Sequence, residues 1–167
     1  MATFGLNDRT YSFDANLELS DNAAAYTATG FTQCRGVDGL VDLGGNQGTT
    51  PKQQARIDAV AVCDVTVLDT TTTDEAYRIL IIGSNDPAVP IGSRWVLGEL
   101  ELAGGVLSVL GPGVAGVTGT AVIGRYEIPF CNQQAGTTYQ YIKMFLVLSG
   151  TTPILNLEAF IAVLPEP

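Results

Sequence analysis

Hydrophobic positions along the chain recur with the two-residue period of β-strands and almost nowhere with the period of a helix. The clearest run is residues 55–69, "ARIDAVAVCDVTVLD", in which every second residue from Ile57 to Val67 is apolar. Successive side chains of a strand point to opposite faces, so this spacing predicts a long strand with one fully apolar face. The polar run "TTTTDE" at 70–75 then predicts a hairpin tip before the pattern resumes at 76.

Gly, Asn, Asp and Pro separate further short strand patterns, as in "GSNDP" at 83–87. The candidate strands are residues 9–20, 24–32, 39–44, 76–86, 93–102, 121–130, 137–149 and 154–164. Eight or nine strands without intervening helices predict an all-β, antiparallel sandwich or barrel. The 167 residues fit a single domain.

Composition excludes several classes of function. The net charge is −9, and the eight basic residues are scattered singly, so no basic stripe exists to neutralise nucleic-acid phosphates or an anionic membrane. The segment 102–124 is uncharged and long enough to span a bilayer, but its many glycines and the lack of flanking Lys or Arg clusters favour a loop with short strands. We therefore expect no nucleic-acid and no membrane partner.

The chain contains no histidine, which excludes the usual Cys-His and Ser-His-Asp catalysis and His-containing metal sites. Cys34, Cys63 and Cys131 are widely spaced, which argues against a disulfide framework or a zinc ribbon. Cys131 could be a nucleophile only if Arg125 or Lys143 activated its thiol, and the alternative is a small, soft residue that ends a strand.

Other candidate chemistry also has a structural alternative. Asp69, Asp74 and Glu75 could gather around a hard cation, or they could belong to a solvated hairpin tip, which the neutral threonines between them favour. Asp58 and Asp64 lie about 20 Å apart along an extended strand, too far to act on one glycosidic bond. "GGNQG" at 44–48 lacks the Lys-Ser/Thr ending of a phosphate-binding loop and predicts a turn. We expect no catalytic residue, no metal and no cofactor.

Four aromatic residues leave a choice between core packing and a sugar-stacking platform. They are Trp95, Tyr126, Tyr139 and Tyr141. Their strand positions favour core and cross-strand packing. A carbohydrate-binding β-sandwich of the adhesin type, on a virion or cell surface, remains the alternative function, and it requires Trp95 and at least one tyrosine to be exposed in a row.

Three stretches together carry a family resemblance: "RIDAVAVCDVTVLDTTTTDEAYRILIIGSND", "GRYEIPFCNQQAGTTYQYIKMFLVLSGTTP" and "LEAFIAVLPEP". In the order of their strands and the sequence pattern of their hairpins, they resemble the capsid cement, or decoration, proteins of tailed bacteriophages. The resemblance covers residues 56–167, and the first fifty residues match more weakly. It implies a jelly-roll-like sandwich without an active site, made in the bacterial cytoplasm, that binds the major capsid protein on the outside of an icosahedral head as a dimer or trimer.

The contact surface is predicted from segments that are long, irregular and apolar or amide-rich. The N-terminal segment, about residues 1–20, and the C-terminal tail at 165–167 are expected to contact neighbours. The predicted interface residues are Phe4, Leu6, Arg9, Tyr11, Asn46, Gln47, Lys52, Gln53, Val106, Leu107, Val109, Leu110 and Val114.

Overall fold

The computed structural model describes residues 14–44, 56–71, 74–103 and 122–163. Within these ranges the chain forms thirteen β-strands and two 3-10 turns, and the all-β prediction is confirmed. The turns are Ala15–Leu17 and Ile91–Ser93; the strands are β1 (Glu18–Asp21), β2 (Gly30–Phe31), β3 (Gln33–Cys34), β4 (Val37–Asp38), β5 (Leu40–Asp42), β6 (Asp58–Leu68), β7 (Ala76–Ser84), β8 (Arg94–Ala103), β9 (Gly124–Cys131), β10 (Gln133–Gln134), β11 (Thr137–Thr138), β12 (Tyr141–Ser149) and β13 (Leu155–Val163).

Two antiparallel sheets contain all the strands of three residues or more. Sheet 1 has the order β1-β13-β6-β9, and sheet 2 has the order β2-β12-β7-β8, with β5 also paired to β12. The eight strands of three residues or more can be renumbered 1 to 8 in chain order: β1, β5, β6, β7, β8, β9, β12 and β13. In these numbers the spatial order is 1-8-3-6 in sheet 1 and 2-7-4-5 in sheet 2. This order interleaves two Greek keys, which makes the sandwich a jelly roll.

The core lies between the sheets, because alternate residues of each long strand point inward. On β12, Ile142, Met144 and Leu146 are fully buried, and the residues between them belong to the outer face of sheet 2. The other fully buried large apolar residues of the core are Leu19, Tyr77, Ile79, Ile81, Ile128, Leu155, Leu157 and Ile161.

β6 departs from its predicted pattern at its C-terminal end. Its inward face is buried from Ala59 to Val65, as predicted, but Val67 is 44% exposed. The β6–β13 register shifts just before this residue, so Val67 pairs with Asn156, which lies on the outward face of β13. Val60 and Val62 lie on the opposite face of β6, which also carries Asp58 and Asp64, and both are buried in a second cluster outside the main core. Sheet 1 is therefore apolar on part of its outer face.

The sequence pattern predicts one hairpin at residues 70–75 and another between the strands at 121–130 and 137–149, and both predictions are wrong. β6 and β7 lie in different sheets, so the Thr-rich connection crosses the sandwich; the Tyr77 hydroxyl donates to the Asp69 carbonyl at 2.6 Å across this crossing. β9 and β12 also lie in different sheets, although β9 ends at Cys131 as predicted. The turn residues between them form the separate β10–β11 hairpin, where Ala135 and Gly136 have φ of 50° and 80°. Two-residue hairpin loops favour such positive φ values.

One edge of sheet 2 is interrupted. β2 and β5 pair with different parts of β12, and the β3–β4 hairpin leaves the sheet between them. The Thr32 hydroxyl donates to the Leu19 carbonyl of sheet 1 at 2.6 Å where the chain leaves the edge. Where it returns, a Cβ on Gly39 would lie 2.2 Å from the same carbonyl oxygen. A residue without a side chain is therefore required at this corner, where the two sheets meet.

The first two strands are shorter than predicted. Of residues 9–20 only those from 14 onward are described, and a 3-10 turn capped by Asp14 precedes β1. β1 itself pairs with β13, and Leu19 and Ser20 are buried, so this end of the predicted N-terminal contact segment belongs to the sandwich. Of residues 24–32, only β2 and an isolated bridge between Tyr26 and Leu155 have strand pairing.

Candidate protein interface

Cys131 lies at the end of β9, opposite Asp58 of β6. Its Sγ accepts a hydrogen bond from the Gln133 N–H at 3.4 Å. Side-chain hydrogen bonds from Cys131 and then from Arg56 lower the pKa of the Asp58 carboxyl. A carboxylate with a lowered pKa is a weak base, so Asp58 is poorly suited to deprotonate the thiol. Among the described residues, the groups around Cys131 therefore supply hydrogen bonds to a strand end and no strong base.

The amide next to this cysteine has a structural role. Asn132 is 1% exposed; its Oδ1 accepts the Ile57 N–H at 2.7 Å, and its Nδ2 donates to the Tyr139 carbonyl at 3.2 Å. Its main chain bonds to the same two residues. Gln133 and Gln134 are exposed. Asn132 therefore joins β6, the β10–β11 hairpin and the start of β12.

The three carboxylates of the Thr-rich connection have separate environments. Asp69 Oδ1 accepts hydrogen bonds from the Thr71 hydroxyl at 2.6 Å and the Thr71 N–H at 2.9 Å, and these bonds lower the pKa of Asp69. Asp74 accepts a bond from the Thr151 hydroxyl at 2.7 Å, and Glu75 is 1% exposed. Among the described residues no group of three His, Cys, Asp or Glu side chains is placed to hold a metal ion.

The two outward carboxylates of β6 each have their own arginine. Arg125 donates from Nε and Nη2 to the two oxygens of Asp64, both at 2.7 Å. Arg56 Nη2 lies 3.2 Å from Asp58 Oδ1. Both pairs are largely solvent-exposed, where ion pairs contribute little to stability. They orient surface side chains and do not form a paired acid and base.

The four aromatic candidates separate into two environments. Tyr139 is buried at 5% exposure, Tyr126 packs partly buried against the core, and Tyr141 is half-buried. Trp95 is 52% exposed, so the prediction that it packs in the core is wrong. No tyrosine of the described ranges is in the exposed class beside it. The exposed row of aromatics that the carbohydrate alternative requires is therefore incomplete in this part of the chain.

Exposed apolar side chains concentrate next to connections between strands. Ile91 is 80% exposed and Val96 is 42% exposed, close to Trp95 in the β7–β8 connection and the start of β8. Val122 and Ile123, just before β9, are 66% and 62% exposed. Exposed apolar groups in such clusters favour contact with another protein.

A groove of about 460 Å³ lies between the first 3-10 turn and the β3–β4 hairpin. Its charged lining residues include Glu18, Arg35 and Asp38, and Glu18 Oε2 lies 3.9 Å from Arg35 Nη2. Burial raises the pKa of the Cys34 thiol in this groove to about 12, so that thiol remains protonated. The groove therefore combines two carboxylates and one guanidinium with an unreactive thiol.

The outer face of sheet 2 carries a cluster of aromatic and cationic side chains that the sequence analysis missed. The rings of Phe31 and Phe145 meet edge to face with centroids 5.0 Å apart. The Arg94 guanidinium lies 5.1 Å from the Phe145 centroid, and Lys143 Nζ lies 4.8 Å from the Phe31 centroid. Lys143 Nζ also bonds to Asp38 Oδ2 at 3.0 Å. The two-residue period of β12 places Lys143 and Phe145 on one face, but the long sequence separation from Arg94 hides the cluster.

Every predicted interface residue lies outside the described residues. This holds for Phe4, Leu6, Arg9, Tyr11, Asn46, Gln47, Lys52, Gln53, Val106, Leu107, Val109, Leu110 and Val114, for the tail at 165–167, and for the phosphate-loop candidate at 44–48 apart from Gly44. The contact surface stays a prediction.

No family model, no curated protein and no solved structure matches the chain. In the described ranges, no helix has both the length and the apolar character needed to cross a membrane.

Proposed function

We propose that this protein is a capsid decoration protein of a tailed bacteriophage, which binds the major capsid protein on the outer surface of the icosahedral head and stabilises it by bridging capsomers. The observation that carries the proposal is the jelly-roll strand order, because this architecture recurs in viral capsid proteins. The resemblance of residues 56–167 to decoration proteins supports the same function. The arrangement of Cys131, of the Thr-rich connection and of the β6 carboxylates supports a role without catalysis.

The stabilisation would come from interface area that is repeated over a closed shell. A subunit that contacts two capsomers must lose part of its interface before they separate, and symmetry repeats that contact many times. If the protein binds the assembled shell and not the separated capsomers, binding shifts the assembly equilibrium towards the shell. A modest interface for each copy is therefore sufficient.

We place the shell contact at the predicted N-terminal segment, the residues around 46–53 and the Gly/Val segment that contains Val106 and Val114. The exposure of Val122 and Ile123 supports the last of these, because both belong to the uncharged segment 102–124. Two neighbouring exposed apolar residues favour contact with another surface.

Co-sedimentation tests the proposal. Purified protein is mixed with mature, undecorated heads of the phage from which the sequence comes, and the bound fraction is measured after the heads are pelleted. We expect saturable binding, and a matched V122D/I123D double variant should bind at least about tenfold more weakly, since a factor of ten corresponds to only about 1.4 kcal/mol. Val67→Asp, at another exposed apolar position, is the control and should bind normally. Failure of the wild-type protein to co-sediment at saturating concentration would count against the proposal.

The carbohydrate-binding alternative has one observation in its favour, the 52% exposure of Trp95. An exposed indole can stack on a sugar ring, as aromatic side chains do on other flat apolar surfaces. A glycan array with wild-type protein and Trp95→Ala separates the two proposals. Binding of a defined sugar that is lost in the Trp95 variant would favour the alternative, and its absence would favour decoration.

A further inference from the structure

Arg94 differs from the other cationic side chains of the described ranges, because it has no carboxylate partner there. The other five are all in ion pairs: Arg35 with Glu18, Arg56 with Asp58, Arg78 with Glu99, Arg125 with Asp64 and Lys143 with Asp38. Arg94 is half-buried, and its guanidinium lies over the rings of Phe145 and Phe31, at 5.1 Å and 6.0 Å from their centroids. The aromatic contacts hold the charge in position and leave its hydrogen-bond donors without an acid.

A surplus of negative charge lies on the same face of sheet 2. Arg78, on β7, contacts two carboxylates of β8: its guanidinium bonds to Glu99, and its Nε lies 2.9 Å from Glu101 Oε1. One guanidinium therefore serves two carboxylates, and a negative charge is left over. Glu101 is directly opposite Arg78 in the β7–β8 pairing. The surplus cation lies over the β2–β12 side of the face, and the surplus anion lies on the β7–β8 side.

The side chains between these two charges are mainly apolar. Leu80 on β7 is half-buried, and Val96 on β8 is 42% exposed. Ile82, at 2% exposure, lies between Lys143 and Val96 in the register of the sheet. The face thus has an apolar centre, an unpaired cation on one side and a surplus anion on the other.

We propose that the outer face of sheet 2 is a self-complementary interface through which two copies of this chain form a two-fold dimer, with Arg94 of each copy bound to the carboxylate pair beside Arg78 of the other. A two-fold axis through the apolar centre exchanges the two sides of the face, so each copy supplies the charge that the other lacks. This is the property of an isologous interface. The dimer does not depend on the decoration function, since it involves no shell.

The size of the face sets the expected strength. Three strands of nine or ten residues, about 4.8 Å apart, and an interrupted edge of five residues in β2 and β5 give a face of roughly 500 Å² on each copy. Two such faces bury about 1,000 Å², slightly below the usual range of stable protein–protein interfaces. The net charge of −9 on each copy also opposes association, although salt at about 0.15 M screens it beyond about 8 Å. We therefore expect a reversible dimer whose population depends on protein concentration.

A charge-swap experiment tests the interface. Sedimentation equilibrium at about 0.15 M salt is compared for wild-type protein, Arg94→Glu, Glu101→Arg and the R94E/E101R double variant. Each single substitution places like charges across the interface and should weaken the dimer by about tenfold or more. The double variant restores opposite charges and should associate within about threefold of wild type, and Glu99 still pairs with Arg78 in it.

Two variants on sheet 1 are the matched controls: Arg56→Glu and Glu127→Arg make the same changes in net charge at exposed positions away from this face and should leave the dimer unchanged. Circular dichroism and thermal melting establish that each variant is folded. A wild-type protein that stays monomeric at millimolar concentration overturns the proposal. So do single variants that associate as wild type does, and a double variant that stays as weak as the single ones. None of these results bears on binding to the shell, which the co-sedimentation experiment tests.

Discussion

Substitution of Asn132 by alanine should destabilise the fold more than any exposed change in the same turn. Asn132→Ala removes the acceptor of the Ile57 N–H and the donor to the Tyr139 carbonyl, while its main-chain bonds remain. A polar group left unsatisfied costs about 1–3 kcal/mol, with the higher figure for the more buried group. Ile57 is half-buried and Tyr139 is buried, so the two losses amount to about 3 kcal/mol.

Urea denaturation followed by circular dichroism measures this loss. For a chain of this size, 1 kcal/mol corresponds to about 2–4 °C in Tm, so a decrease of about 10 °C is expected in a parallel thermal melt. Gln133→Ala, at the exposed neighbouring amide, is the control and should change the free energy of unfolding by less than about 0.5 kcal/mol. A loss below about 1 kcal/mol for Asn132→Ala would mean that water replaces the amide, and that Asn132 does not hold the turn as we describe.

Three further predictions concern packing, thiols and pH. Gly39→Ala should reduce stability by about 3 kcal/mol or prevent soluble expression, because its Cβ would lie 2.2 Å from a main-chain oxygen of the other sheet. Gly30→Ala is the control, because its Cβ would have no atom within 4 Å. Equal stability of the two variants would refute the close contact. Burial raises the pKa of Cys34 and Cys63 to about 12, so both thiols of the native protein should react slowly with iodoacetamide at about pH 8. Stability should fall as the pH rises from about 9 towards 12, because only the unfolded thiols ionise in that range. Rapid labelling of Cys63 in the native protein, detected by mass spectrometry, would contradict this. Hydrogen bonds from main-chain N–H groups lower the pKa of Asp21, so its contribution to stability is present above about pH 4 and is lost as the pH falls through the lowered pKa. Asp21→Asn should therefore flatten the acid side of a plot of Tm against pH. An unchanged slope would argue against this contribution of Asp21.

The long strands β6, β7, β8, β9, β12 and β13 were predictable from sequence to within about four residues. The bounds of β1 and β2, and the assignment of strands to sheets, were not. The period of β6, β7 and β12 identifies each strand, because burial of one face imposes alternation. The same local pattern fits a hairpin within one sheet and a connection that crosses from one sheet to the other. The choice between them depends on pairing with distant strands, such as β13 beside β6, and the local sequence does not encode that pairing.

The candidate surface shows the same limit. The absence of histidine is a property of composition, and it is what favours a structural interpretation of Cys131 from the sequence. The cluster around Arg94 was not predictable, because cross-strand pairing brings Phe31, Arg94 and Phe145 together from three distant parts of the chain. Trp95 was misassigned because strand pattern alone does not show which residues border the end of a sheet.

The edges of this sandwich bear on whether closely spaced copies can aggregate by strand pairing. An unpaired strand edge can add a strand from another chain, which is a common route to aggregation. Here β1 has four residues, the β2/β5 edge is interrupted, and β9 carries Pro129, which lacks an N–H. The remaining edge strand, β8, lies against β9, where a Cβ on Gly98 would be 3.3 Å from the Pro129 carbonyl oxygen. A neighbouring chain therefore finds few consecutive main-chain groups to pair with along these edges, and crowded copies are protected from templated β-aggregation.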